Sequence, residues 1–368
     1  LIGTFTDQPW LILPLTTLVA VLTIWFLIPL AYRFGWVDHP GLRKTHEQAT
    51  PVVGGVGILI AWFLGLVLTS DSIFSPDDEI VWLGLGALLL LVAGAADDMK
   101  SMSAFVRFLL QICAALMMIG PAGIMLTDFG ALFTSNTVEL GILSVPITVF
   151  ATLGVINAFN MIDGMDGLGG TIFLITATPM AAFAWAGGIG IEMRVLLLVM
   201  AAVAGFLLLN ARSPWITKAR VFLGNSGSMM LGFTLAWFLI DFGNGEYRVF
   251  MPMTAVWLFA VPLLDTSTLI YSRWRSGQSA FEADNQHLHH AFLRAGFSVE
   301  VAWMAISALA IVLALVGIAL ELSPLPEQYS FYIFMVFAFA YYFYLRHCWS
   351  AQQFLGRHFI HHDFTIED

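Results

Sequence analysis

Charge is scarce in this chain. Asp, Glu, Lys and Arg supply only 11% of its 368 residues, while 59% are hydrophobic, and no ordinary water-soluble domain combines those fractions. Cysteine is scarcer still: Cys113 lies inside an apolar run and Cys348 near the C-terminus, with no spacing that suggests a metal or redox motif, so no disulfide framework is implied. There is no internal repeat, no low-complexity segment and no linker long enough to separate a soluble domain, which leaves one integral-membrane domain over 1–346 and a polar tail over 347–368. The net charge of −10 carries little weight here, because in a membrane protein the division of charge between the two faces matters more than the sum. The bilayer is the expected surroundings and no nucleic-acid partner is expected.

What the sequence has in abundance is long apolar runs. Eleven stretches of roughly 17 to 22 residues can each cross a hydrocarbon core of about 30 Å. They lie near 11–32, 52–69, 80–96, 104–120, 140–158, 168–187, 193–210, 227–241, 250–272, 299–320 and 329–346. The first, "WLILPLTTLVAVLTIWFLIPLAY", is too long for a signal peptide and reads as a span; the eighth is cut short by Asp241. An all-α polytopic membrane fold follows. Alternating the loops places Arg33, Arg43, Lys44, Lys100, Arg107, Arg212, Lys218, Arg220, Arg273, Arg275, Arg294, Arg346 and Arg357 on one face, and only Arg194 and Arg248 on the other. By the positive-inside bias the first face is cytoplasmic, with the N-terminus outside and the C-terminus inside. On the outer side, "TDFGALFTSNTVEL" mixes β-formers with turn residues and predicts a short hairpin.

The unusual polar clusters all fall on the cytoplasmic side: "AADDMKS" (95–101), "NAFNMIDGMDGLGG" (157–170), "FLGNSGS" (222–228) and "ADNQHLHHAF" (283–292). Side-by-side Asp97 and Asp98 resist joint ionisation unless a cation compensates, although a solvated helix end is the plainer reading. Asn160, Asp163 and Asp166 recur every three residues, so a turn can aim them at one point; such oxygen ligands suit Mg²⁺, with Mn²⁺ as the alternative, while Asx residues beside Gly also simply form turns. His287, His289 and His290 stand near Arg273, Arg275 and Arg294. Their spacing lacks the companions of a zinc site and suits donation to phosphate oxygens, or contact with anionic lipid headgroups. The first basic loop adds Arg43, Lys44 and His46, and Gly54 and Gly55 after it permit close helix packing. Gly224, Ser226, Gly227 and Ser228 can form a backbone nest for an anion. Carboxylates for a divalent metal and cations for phosphate, gathered at a membrane surface, describe phosphoryl transfer between a soluble and a lipid substrate.

With "VVGG", "DDM", "NMIDGMDGL", "FLGNSGSMMLG" and "QHLHHAFLRAGFS" in this order, the sequence resembles the polyprenyl-phosphate N-acetylhexosamine-1-phosphate transferase family over nearly its whole length. Its form "QHLHH" is most like that of the bacterial undecaprenyl-phosphate N-acetylglucosamine-1-phosphate transferases of the WecA type. The resemblance implies transfer of N-acetylglucosamine-1-phosphate from UDP-N-acetylglucosamine to undecaprenyl phosphate. UMP leaves, and the lipid-linked pyrophosphoryl sugar serves cell-surface glycan and lipopolysaccharide synthesis at the bacterial inner membrane. It implies Asp97 as the base or orienting group for the lipid phosphate, with Asp98 supporting it. Asn160, Asp163 and Asp166 would hold Mg²⁺ and the nucleotide, Phe222 would stack on uracil, and Arg43 and Lys44 would belong to the basic first loop. His287, His289 and His290 would contact the diphosphate, and Arg273 or Arg275 the sugar phosphate. A homodimer is the default assembly.

Two positions depart from the family pattern, which commonly has a metal-binding Asp where this chain has Asn225 and a basic residue where it has Asn285. An amide at 225 keeps the shape of the acid and removes its charge, so a catalytically impaired family member is one alternative reading. A nucleotide-sugar transporter is the other. It is disfavoured because transporter sites lie near the bilayer midplane between repeated, broken helices.

Overall fold

A computed structural model describes residues 9–39, 49–69, 78–213, 215–246, 248–277 and 287–359. Among these, thirteen α-helices follow in chain order: α1 (Pro9–Phe34), α2 (Gly54–Thr69), α3 (Glu79–Met99), α4 (Ala104–Ile119), α5 (Ser144–Ile162), α6 (Leu168–Ala186), α7 (Ile191–Asn210), α8 (Gly224–Asn244), α9 (Pro252–Leu258), α10 (Ala260–Arg275), α11 (Leu288–Arg294), α12 (Val299–Glu321) and α13 (Glu327–Phe359). Two short strands, β1 (Val37–Asp38) and β2 (Thr50–Pro51), pair antiparallel with Val37 opposite Pro51 and Asp38 opposite Thr50.

The protein is an all-α polytopic membrane protein. Seven helices are long and apolar enough to cross a bilayer, and the bent pair α9 and α10 would make an eighth. All eleven apolar runs of the sequence lie on helices, but they are not equivalent. α2 and α4 have 16 residues each, about 24 Å at 1.5 Å per residue and short of a full hydrocarbon core. The ninth run is broken, α10 turning by 83° from α9 through Phe259 (φ −107°, ψ 20°).

The eighth run departs most from its reading as a short span. α8 extends over 21 residues, and every residue from Ser226 to Asn244 is buried. It is the central post of the bundle, packed against α2, α3, α5, α6 and α9. Enclosure by protein rather than lipid explains how it carries Ser226, Ser228, Thr234, Asp241 and Asn244, since polar groups at membrane depth are tolerated where neighbouring helices surround them.

The helices around its N-terminal end approach closely. A Cβ on Gly94 of α3 would lie 2.4 Å from both N and Cα of Ser226, and one on Gly55 of α2 would lie 2.4 Å from Cα of Gly227. The first turn of α8 is therefore gripped between two glycines on different helices, as the paired Gly54 and Gly55 suggested.

At the other end of the bundle, the expected hairpin is present. Asp128 and Glu139 form an antiparallel bridge, and Phe129 N–H donates to Val138 O at 3.0 Å. Asn244 holds it from α8, its Oδ1 accepting from Thr127 N–H at 2.6 Å. Glu327, at the start of α13, accepts from Ala131 N–H at 2.7 Å.

Candidate active site

The ends of α3, α5 and α7 and the start of α8 meet at one end of the bundle, around a cavity of about 410 Å³. Its wall includes Asp98, Asn160, Asp163, Asp166, Phe222, Asn225, His289 and His290. Four clusters separated by up to two hundred residues of sequence thus share one site.

Asp98 occupies the last turn of α3, where its own helix dipole disfavours a negative charge. The start of α8 compensates: Asn225 N–H donates to Asp98 Oδ1 at 2.9 Å and Ser226 N–H to Oδ2 at 3.2 Å. Gly224 opens α8 at φ +73°, and a Cβ there would sit 2.6 Å from Asp98 Oδ2, so this entry requires glycine on both counts. The backbone nest expected at this helix start is consequently filled from within the protein, by Asp98. Asp97 is not on the cavity wall. Its Oδ1 accepts from Met102 N–H at 2.6 Å and its Oδ2 faces Arg107 at 3.5 Å, so it ties α3 to the start of α4. Sequence reasoning gave Asp97 the leading role; the cavity position belongs to Asp98.

Asp163 ends α5 and meets the start of α6, where Gly169 N–H donates to its carboxylate. It keeps a little surface open to the cavity but is otherwise surrounded by protein. Burial pushes its carboxyl up to about 8, the neighbouring charges of Asp166 and Asp98 add to the rise, and the Gly169 hydrogen bond opposes it. Asn160, one turn earlier, points its amide Nδ2 at Asn225 Oδ1 (3.0 Å) and Ser228 Oγ (2.6 Å). Asn225 itself lines the cavity with Asn160, Asp163 and Asp98.

Asp166 is more committed. Its Oδ2 accepts from Arg212 Nε at 2.8 Å and from Ala219 N–H at 3.2 Å, and Arg212 also pairs with Glu300 at 3.0 Å. Asn210 braces the same loop, with Oδ1 accepting from Gly167 N–H and Nδ2 donating to Val221 O, both at 2.8 Å. Neither Asn210 nor Arg212 was picked out as a site residue. The one available signal was a polar "NAR" ending a long apolar run.

The His group divides. His289 and His290 line the cavity, while His287 lies behind them, its Nδ1 2.8 Å from Asp265 Oδ2. His289 packs over Gly164, where a Cβ would come within 2.2 Å of its Nε2. Burial, then the charges of His290, His287 and Arg294, push the His289 imidazole well below its ordinary value, so it is neutral at physiological pH. Phe222 is on the wall, and its backbone is fixed on both sides: its N–H donates to Pro51 O at 2.7 Å, and its carbonyl accepts from Gly54 N–H at 3.1 Å. Arg273 is buried and Arg275 exposed at the end of α10, and neither is on the cavity wall. Arg43, Lys44 and Asn285 lie outside the described residues.

Among the described residues, no group of three or more His, Cys, Asp or Glu side chains could hold a metal ion unaided. The donor set nevertheless fits Mg²⁺, which binds one or two carboxylates and completes its octahedron with water and substrate phosphates. Asp98 and Asp163 are acidic oxygens, and Asn160 and Asn225 add neutral ones.

Comparisons with known proteins identify the family. Residues 80–243 match the family model described as Glycosyl transferase family 4. The chain is 31% identical over 343 residues to the undecaprenyl-phosphate alpha-N-acetylglucosaminyl 1-phosphate transferase of Escherichia coli (strain K12), covering 92% of both chains. It is 32% identical to the protein of that name in Yersinia pestis, over 89% of this chain and 88% of the other. For that of Haemophilus influenzae the identity is 33%, over 93% and 95%.

Proposed function

Because this chain belongs to glycosyl transferase family 4, we propose that it transfers N-acetylglucosamine-1-phosphate from UDP-N-acetylglucosamine to undecaprenyl phosphate, releasing UMP. The observation that carries this reading is the meeting of Asp98, Asn160, Asp163 and Asn225 with His289 and His290 in one cavity at the helix ends. Its wall carries both oxygen ligands and imidazoles, groups that suit the metal and the phosphates of a nucleotide sugar.

In the reaction, an oxygen of the lipid phosphate forms a bond to the sugar-bearing β-phosphorus. The bond from that phosphorus to the α–β bridging oxygen breaks, and its electron pair leaves with UMP. The lipid phosphate is a monoester with a second pKa of about 6, already largely dianionic at neutral pH, so no strong base is needed. Direct displacement therefore suffices, and positioning with charge neutralisation is the main task. Asp163, Asp98, Asn160 and Asn225 would hold Mg²⁺, which would supply neutralisation of phosphate charge. Asp98, fixed by the α8 amides, orients the lipid phosphate. His289 and His290 contact the diphosphate, Phe222 stacks on uracil, and Asp166 with Arg212 holds the loop that carries Asp163. Arg273 or Arg275, at the end of α10, would contact the sugar phosphate, and Arg43 and Lys44 would contribute the basic charge of the first loop.

The bias of Arg and Lys toward this end of the bundle supports a cytoplasmic position for the cavity in the bacterial inner membrane, with eleven crossings and an outer N-terminus. The direct test is UMP release from UDP-N-acetylglucosamine by purified protein with undecaprenyl phosphate and Mg²⁺. Substrate binding without UMP release would mark an impaired member, and no binding at all would reject the reading.

Asn225 supplies a second test. Asn225→Asp keeps the hydrogen bond from Asn160 Nδ2, since either side chain accepts through Oδ1, and adds one negative charge facing the cation. The Mg²⁺ concentration for half-maximal rate is expected to fall about tenfold, roughly 1.4 kcal/mol once repulsion from Asp98 and Asp163 is discounted, with a higher rate at limiting Mg²⁺. An unchanged Mg²⁺ dependence counts against metal contact at this position.

A further inference from the structure

Asp265 is 1% exposed, lies six residues inside α10 and has no place in the chemistry above. It accepts three hydrogen bonds from two other elements: His287 Nδ1 at 2.8 Å on Oδ2, and on Oδ1 Leu288 N–H at 2.9 Å and Tyr341 O–H at 3.3 Å. Leu288 is the first residue of α11 and His287 its N-cap. One carboxylate thus fixes both the backbone start and the first imidazole of the helix that carries the His group. With Nδ1–H committed to Asp265, the ring of His287 cannot rotate. It lies parallel to His289, with centroids 5.7 Å apart and planes within 9°, and His289 in turn abuts Gly164 at the cavity edge.

From this geometry we infer that Asp265 and Tyr341 are positioning residues, which hold the stacked pair His287 and His289 against Gly164 so that His289 meets the substrate diphosphate in a fixed orientation. His287 acts through His289 rather than by touching substrate. The break at Phe259 serves this purpose, because it turns α10 across the bundle to pack on α5, α12 and α13. The last long helix, through Tyr341, thereby bears on the active site. The consequence for catalysis rests on the function proposed above; the consequence for nucleotide binding does not require turnover.

The experiment uses full-length protein in detergent or nanodiscs, with UDP as the probe of nucleotide binding and UMP release as the probe of turnover. Tyr341→Phe removes one donor and no volume of consequence. It is expected to weaken UDP binding and raise KM for the nucleotide sugar about threefold, and Asp265→Asn about tenfold, with smaller changes in kcat, as fits loss of one neutral and one charge-assisted hydrogen bond acting indirectly. The decisive arm is a double-mutant cycle: in a His287→Ala background, Tyr341→Phe should no longer alter UDP affinity or KM. An equal cost of Tyr341→Phe with and without His287, or no cost in either, overturns the inference. So does a fall in melting temperature with unchanged UDP affinity, which would make the contact purely structural. Wild-type protein that binds UDP yet releases no UMP leaves the positioning result intact and marks an impaired member of the family, so the two failures are distinguishable.

Discussion

Asp98→Asn is expected to lower kcat for UMP release by about a thousandfold, the scale of removing a preorganised electrostatic contact in an active site. Two effects combine. The substitution removes a negative charge from the cavity wall, where the proposed reaction would hold the lipid phosphate. It also disturbs the start of α8, because an amide satisfies one of the N–H groups of Asn225 and Ser226 while turning its own NH₂ toward the other. The adjacent Asp97→Asn should cost only about tenfold, since its carboxylate holds Met102 N–H and faces Arg107 and acts on the site through the helix α3 it steadies. Initial rates of UMP release for the two variants, at saturating UDP-N-acetylglucosamine and Mg²⁺, separate these roles. A loss at Asp97 as deep as that at Asp98 would restore Asp97 to the leading position assigned from sequence.

Gly94→Ala should cost about a hundredfold in turnover, although residue 94 touches no substrate. The added methyl would stand 2.4 Å from N and Cα of Ser226 and from the carbonyl oxygen of Asn225. These are backbone atoms in the first turn of a fully buried helix, so relief requires α3 and α8 to separate. Asp98, one helical turn further along α3, would be drawn away from the α8 amides and from Asn225. Misplacement of catalytic groups by about 1 Å is enough for a hundredfold loss. Gly84→Ala on the same helix meets nothing within 4 Å and should leave rate and melting temperature unchanged. Comparing kcat and Tm for the two variants tests the argument, and wild-type turnover in Gly94→Ala would show that the grip on α8 is dispensable.

Much of this protein is legible in its sequence because membrane proteins advertise their spans. A helix in lipid satisfies every backbone group internally and must be apolar along its length. The eleven runs, the hairpin at 127–140 and the four polar clusters were therefore readable as segments. The status of α8 was not. Ser226, Asp241 and Asn244 look like interruptions when each span is imagined in lipid, and only enclosure by five other helices makes the most polar span the central one. The division among site residues was equally hidden. Asp97 and Asp98 are neighbours of the same type, as are His287 and His289, and composition and order treat each pair alike. A step of about 100° around α3 sends Asp98 to the cavity and Asp97 to a bracing contact, whereas His287 stands at the N-cap of α11 and His289 within its first turn.

The sequence alone determined membrane class, family, the order of the motifs and the chemistry they suit, because periodicity, hydropathy and residue type are local properties. The tertiary structure alone decided which of those residues share a cavity. It made Asp98 rather than Asp97 the acid at the start of α8, tied Asp166 to Arg212, and brought in Asn210, Asp265 and Tyr341, which belong to no motif. Such contacts join residues up to 128 positions apart, as between Asp98 and Ser226. They depend on helix rotation and on how closely two backbones approach, and a glycine such as Gly94 discloses that only when the opposing atoms are in place.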